Sequence, residues 1–175
     1  MKLSTRGEYG LRAMVYLAMK APESDQMLHA QEISTAQDIP PHYLKQILSR
    51  LRAAGLVRST RGPTGGHALA LPADEISVGA VVRCLEGSIS GVEGILAMPC
   101  NISVGPSHCV IKELLLEVKR RVEEVLEEVT IARMAERQLE LVEHSIEVVP
   151  RLQATDADGN PLFLCEAAPA RRATN

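Results

Sequence analysis

Leu44, Ile47, Leu48 and Leu51 recur at i, i+3, i+4 and i+7, the spacing that lines one face of an α-helix. Lys45, Gln46, Ser49, Arg50 and Arg52 fall between them and are expected to face outward. Ahead of this stripe lies Asp38-Ile39-Pro40-Pro41. Proline starts a helix but does not continue one, so the pattern predicts a short helix over about Ala30 to Gln37 and a second from Pro41 to Ala54. Gly55 suits the left-handed residue that ends a helix. Leu56 to Thr60 then predicts a strand, Arg61-Gly62-Pro63-Thr64-Gly65-Gly66 a turn, and His67 to Leu71 a return strand. Two short helices followed by a glycine-tipped hairpin make the winged helix-turn-helix plan, which places its second helix in the DNA major groove.

A second pattern follows downstream. Ile111, Leu115, Val118, Val122, Val125 and Val129 are spaced 4, 3, 4, 3 and 4, an a/d heptad seam flanked by charged residues. A long helix bearing such a seam outruns what a small head can bury, so the seam predicts a homodimer contact. Two heads related by a two-fold axis would meet two half-sites of an inverted repeat. The fold class expected is mainly α, a winged helix-turn-helix with a small β-hairpin wing and a long C-terminal dimerisation helix. Four regions are expected: the DNA-binding domain over 1–76, a short helix and cysteine-bearing loop over 77–109, the dimerisation helix over 110–143 and a mobile tail over 144–175. Within the second region Ser77 can cap a helix from Val78 to Leu85, closed by Gly87.

Charge sharpens this division. Net charge is −3, yet residues 1–72 hold nine Lys or Arg against five Asp or Glu, and residues 73–175 hold ten against seventeen. A head of net +4 on a body of net −7 is the asymmetry expected when one face meets phosphate. Aromatics are 2% with no Trp, so the core must be aliphatic. Near the start, Arg6, Glu8, Arg12 and Lys20 interrupt the apolar residues. That stretch predicts an amphipathic helix with Tyr9, Met14, Leu17 and Ala18 turned inward, rather than a signal peptide or membrane span.

The DNA contacts expected from this reading are His42, Lys45, Gln46 and Ser49 on base edges, and Arg50, Arg58 and Arg61 on phosphates or a narrow minor groove. Lys2, Pro41, Tyr43, Ser59, Gly62, Gly65 and Gly66 complete the candidate set.

MKLSTRGEYGLRAMVYLA, IPPHYLKQILSRLRAAGLVRSTRGPTGG and ISVGAVVRCLEG, with the later EVLEEVTIARM, resemble the winged-helix regulators often called the Rrf-two family, over about residues 1 to 135. The resemblance implies a cytoplasmic DNA-binding regulator, a repressor, whose long helices cross between two subunits.

The four cysteines are Cys84, Cys100, Cys109 and Cys165. In a reducing compartment structural disulfides are not expected. Cys84 reads as a packed apolar residue, and Cys165 lies in the tail. Cluster-binding members of the resembled family carry three cysteines before the long helix; here Gly94 stands at the first position, while Cys100 and Cys109 match the second and third. The resemblance adds a carboxylate from the partner subunit, matched by Glu8, as a further metal ligand. Lys112 stands where a ligating histidine occurs in other members, and a protonated lysine cannot serve. An iron–sulfur cluster needs four ligands, mostly thiolates, so three readings stay open: redox or iron–sulfur sensing through Cys100, Cys109 and Glu8, a cluster-free repressor controlled by a small molecule or partner protein, and cysteines that only pack.

An enzyme is not expected. GPTGG lacks the lysine and following helix of a phosphate-binding loop, no nucleophile elbow is present, and Glu123-Glu124 and Glu127-Glu128 fall on the solvated side of the heptad helix.

Overall fold

The stripe predicted on the second helix is the centre of the molecule. In the computed structural model, which describes residues 3–20, 26–62, 65–87 and 109–144, Leu44, Ile47, Leu48 and Leu51 of helix α3 (Pro41–Ala53) are at most 1% exposed. Around them pack Ala13, Met14 and Leu17 of α1 (Thr5–Lys20), Ile33 of α2 (Ala30–Gln37) and Val81, Val82 and Leu85 of α4 (Val78–Glu86). Each of these Leu, Ile, Val and Met side chains contributes about 1.5–3 kcal/mol on full burial, so the aliphatic core expected from composition is sufficient to seat α3 from three sides.

Local chemistry fixes the turn between α2 and α3. Asp38 takes a left-handed φ of 51°, a conformation that Asp tolerates better than most residues. Both the Asp38 and Ile39 N–H groups then reach the Ser34 carbonyl, and the Ser34 hydroxyl donates to the Ile39 carbonyl at 2.6 Å. The Arg12 guanidinium donates to the Gln37 carbonyl, satisfying an acceptor that the end of α2 leaves open. Pro41 occupies the first turn of α3, where its missing N–H costs nothing.

The wing is an antiparallel pair, β1 (Val57–Thr60) and β2 (Gly66–Leu69), in the register Val57↔Leu69 to Thr60↔Gly66. Leu28 adds a single rung outside it, exchanging two backbone bonds with His67 at 2.8 and 2.9 Å. The return strand therefore starts one residue earlier than expected and ends at Leu69, because Thr60 pairs with Gly66.

The continuous helix expected over 110–143 is corrected. Helix α5 (Val110–Glu128) stops, Val129 turns extended (φ −91°, ψ 121°), and α6 (Ile131–His144) begins after Thr130. The break is held by the chain before α4. Ser77 bridges Thr130, the Val78 N–H donates to the Val129 carbonyl at 2.8 Å, and the Ile131 N–H donates to the Ile76 carbonyl at 2.9 Å. Three successive β-branched residues, Val129, Thr130 and Ile131, favour this extended step, and the Thr130 hydroxyl caps the new helix by accepting from the Arg133 N–H at 3.2 Å. Beside it, the Ser77 hydroxyl caps α4 at the Ala80 N–H (3.0 Å) and donates to Glu127 at 2.6 Å, while Arg83 donates to the other carboxylate oxygen. Arg83 first, then Ser77, holds the Glu127 carboxyl below the ordinary range.

The heptad seam is accordingly divided. Val129 leaves the helix, and Val122 and Val129 lie half-buried against their own head together with Leu126. Leu115 is half-buried, whereas Ile111, Val118 and Val125 are exposed. Leu114, which the seam omitted, is exposed as well. At about 100° per residue, Ile111, Leu114, Val118 and Val125 share one sector of α5, adjacent to the sector that meets the head.

Candidate nucleic-acid interface

Because one stripe of α3 is fully buried, its other side is presented to solvent as a unit. Pro41, His42, Lys45, Gln46, Ser49, Arg50 and Arg52 are all exposed, and α3 contains no acidic residue. The result is a strip of donors and cations on a helix held rigidly from behind. Tyr43 differs from its neighbours. It is half-buried, its ring edge-on to Tyr9 at 5.9 Å and 6.4 Å from the His42 ring. Arg12 lies 5.6 Å over the Tyr9 ring, so Tyr43 braces the start of α3 against α1.

The wing separates residues that the sequence grouped together. Arg61 and Gly62 are exposed at its tip, with Gly62 at φ 117°. Gly65 and Gly66 are buried. A Cβ on Gly65 would lie 2.2 Å from the Thr60 carbonyl oxygen, and one on Gly66 2.6 Å from that of Leu28. Both glycines are there because backbone passes close by. Ser59 faces inward, its hydroxyl 2.8 Å from His67 Nδ1. Burial, and secondarily the charge of Arg52 on α3, pushes the His67 pKa down, and the pair braces the two strands of the wing against each other.

Arg58 is placed differently from Arg61. Strand alternation turns it to the opposite face from Ser59. Its Nε–H donates to the Leu69 carbonyl at 3.2 Å, and the half-buried side chain lines a cleft against α1 and α6 instead of extending α3's outer strip. No sequence signal distinguished Arg58 from Arg61, because strand register decides the face. Lys2 lies outside the described residues.

The candidate metal ligands are not assembled by the described residues, among which no three His, Cys, Asp or Glu side chains come together. Glu8 is exposed in the first turn of α1 and pairs with Arg12 at 3.7 Å. Cys109 is buried at the N-cap of α5, its carbonyl accepting from the Glu113 N–H at 3.0 Å. Cys100, Gly94 and Cys165 lie outside the described residues. Cys84 packs half-buried against the core as expected, its thiol 3.6 Å from the Arg50 carbonyl and pushed up in pKa by burial, the profile of an unreactive thiol.

Among the described residues no helix is long and apolar enough to cross a membrane. The family model of the Rrf2 iron-dependent transcriptional regulators matches residues 3–137. The helix-turn-helix regulator CymR of Bacillus subtilis is 38% identical over 135 residues, covering 77% of this chain and 90% of its own. The regulator IscR of Aliivibrio salmonicida is 32% identical over 157 residues, covering 90% and 87%. Among solved structures, that of CymR, described as the global cysteine regulator of B. subtilis, superposes with a TM-score of 0.64 at 36% identity, covering 78% of this chain and 98% of its own. IscR of T. potens gives 0.63 at 33%, covering 86% and 94%. With an acid-free recognition helix, a hairpin wing and a match that runs the length of both, the chain belongs to the Rrf2 family of DNA-binding helix-turn-helix transcriptional regulators, and is not an enzyme.

Proposed function

We propose that the protein is a homodimeric repressor that binds an inverted-repeat operator, laying α3 in the major groove and the Arg61 tip of the wing on the flanking backbone or minor groove. The observation that carries this reading is the outer face of α3, whose exposed Lys45, Gln46, Ser49 and Arg50 are backed by a fully buried stripe. A two-fold arrangement is supported by the uncovered apolar sector of α5.

Operator selection followed by salt-dependent affinity measurements tests it. Lys45→Ala and Gln46→Ala should shift preference among sites by about 1–3 kcal/mol for each base edge that is no longer read. Arg61→Ala should weaken all sites alike and flatten the salt dependence by about 0.9 per phosphate that is no longer neutralised. Unchanged affinity and unchanged site preference in all three variants would refute the docking.

Two signal inputs are compatible with this core. Redox or iron–sulfur sensing would use Cys100 and Cys109, with Glu8 of the partner subunit completing the ligands. It is supported by the position of Cys109 at the N-cap of the proposed dimer helix. A Cys100→Ser/Cys109→Ser variant should then lose any operator response to anaerobic iron and sulfide or to peroxide, while Cys84→Ser keeps it. The cluster-free alternative, control by a small molecule, is favoured by a different observation, the surroundings of Arg58.

A further inference from the structure

We propose that the cleft between the base of the wing and α6 binds a small carboxylate through Arg58, and that its occupancy adjusts the wing. The regulatory half rests on the operator-binding reading above; the binding half does not.

The cleft encloses about 530 Å³, within the roughly 300–1,000 Å³ of small-molecule sites. Its walls are apolar: Met19 at the end of α1, Ala68 on β2, Leu71 beyond the strand and Ala135 on α6. Arg58 is the one cation among its lining residues. Strand register aims it there, since Arg58 pairs with Ala68 and both belong to the face of the hairpin turned from Ser59 and His67. Of the guanidinium donors, Nε is used on the Leu69 carbonyl, while Nη2 is buried with no acceptor among the described residues. Buried donors of a charged group ordinarily have partners, and one without a partner calls for an account.

The chemistry of the lining selects the ligand. A guanidinium edge matches a carboxylate, which accepts two parallel N–H bonds. Glu136, exposed at the same cleft and not ion-paired to Arg58 among the described residues, disfavours a second negative charge and so disfavours phosphate. The apolar walls suit an alkyl or aryl body. A monocarboxylate with such a body satisfies Arg58 and covers the walls together.

The position implies a consequence. One wall of the cleft is the wing itself, and the other is α6, which the Thr130 bridge ties to α4 and α5. The opposite face of the wing carries the Ser59–His67 brace beside α3. A ligand spanning the cleft therefore touches the two bodies whose relation sets where the Arg61 tip lies.

The full chain, labelled at Ala and Leu methyl groups, would be titrated with hexanoate and with the neutral hexanamide. Saturable shifts of the Ala68, Leu71 and Ala135 methyls by hexanoate are expected, with hexanamide weaker by about tenfold or more. Arg58→Met should level the two probes. Absence of saturable shifts up to about 10 mM, near the weakest affinities such a site would have, overturns the site, as does equal binding of both probes by the wild type. That wild-type comparison decides the matter even where Arg58→Met fails to fold. Operator affinity with the site saturated should change by about threefold or more, a modest coupling, in the wild type and not in Arg58→Met. Filled methyls with unchanged operator affinity overturn the regulation. Absence of operator binding under every condition would instead sink the DNA-binding reading, leaving the site to the methyl data.

Discussion

Replacing Val118 and Val125 by Asp is expected to convert the protein to a folded monomer. In the single chain Ile111, Leu114, Val118 and Val125 are 52, 62, 45 and 59% exposed, together equivalent to about two fully uncovered side chains. At about 1.5–3 kcal/mol for burying each one, covering the stripe contributes about 3–6 kcal/mol per subunit and twice that in a symmetric pair. Association itself costs about 4–15 kcal/mol, a cost of the same order as the stripe's gain, so the pair depends on the stripe. Each Asp removes part of that gain and carries an unpaired charge into the interface at several kcal/mol, four times per dimer. With each 1.4 kcal/mol a factor of ten, dimer affinity should fall by more than about five powers of ten. Val122 would be a poor site for this test, because it rests half-buried on its own head and a charge there would unfold the protomer. Light scattering reads the outcome, with circular dichroism as the check on folding. The wild type should give twice the protomer's 19.0 kDa and the variant that mass once. A folded variant that kept the doubled mass would refute the assignment of α5 as the interface.

Gly66→Ala should destabilise the head by about 1–3 kcal/mol, the usual penalty for overpacking. The new Cβ meets the Leu28 backbone at 2.6 Å, and an unchanged urea midpoint would refute this. Leu48→Ala, at a site 1% exposed, should cost about 2–5 kcal/mol; a loss below about 1 kcal/mol would mean that the stripe is not the core's centre. Glu117 is pulled down to about 2, by Arg120 first and Arg121 next. Its folded pKa lies below the unfolded one, so its contribution to α5 is present above the ordinary glutamate range and lost as pH falls toward 2. Carbon-detected titration should find that low midpoint at low salt, and a midpoint near the usual 4.5 would show that the arginine pairs do not form.

Helix α2 coincides with its expected bounds and α3 ends one residue early, because Pro, Gly and a 3.6-residue stripe are local signals. The break at Val129-Thr130 was hidden for the opposite reason. The heptad spacing runs unbroken up to Val129, and the backbone that captures the break, Ile76 to Val78, lies about fifty residues away in the chain. Solvent-facing residues of α3 were legible because periodicity alone assigns sides. On the wing, periodicity assigned two faces without saying which met α3, so Arg58, Ser59 and Arg61 looked alike. Only the register that pairs Ser59 with His67 separates a brace, a cleft residue and an exposed tip.

The joint at Thr130 consists of main-chain groups, the Val78 and Ile131 N–H donors and the Val129 and Ile76 carbonyls. Main-chain bonds do not depend on which side chains stand there, so drift among strand-forming residues leaves the joint unchanged, and proline at 78 or 131 is the substitution that deletes a donor. In the proposed complex the letters of the operator, by contrast, would be read by solvent-facing side chains of α3, which lie outside the buried core. In the proposed dimer, half-site spacing is therefore inherited conservatively while half-site sequence is free to diverge. Gene duplication can give such a regulator a new vocabulary without changing its ruler.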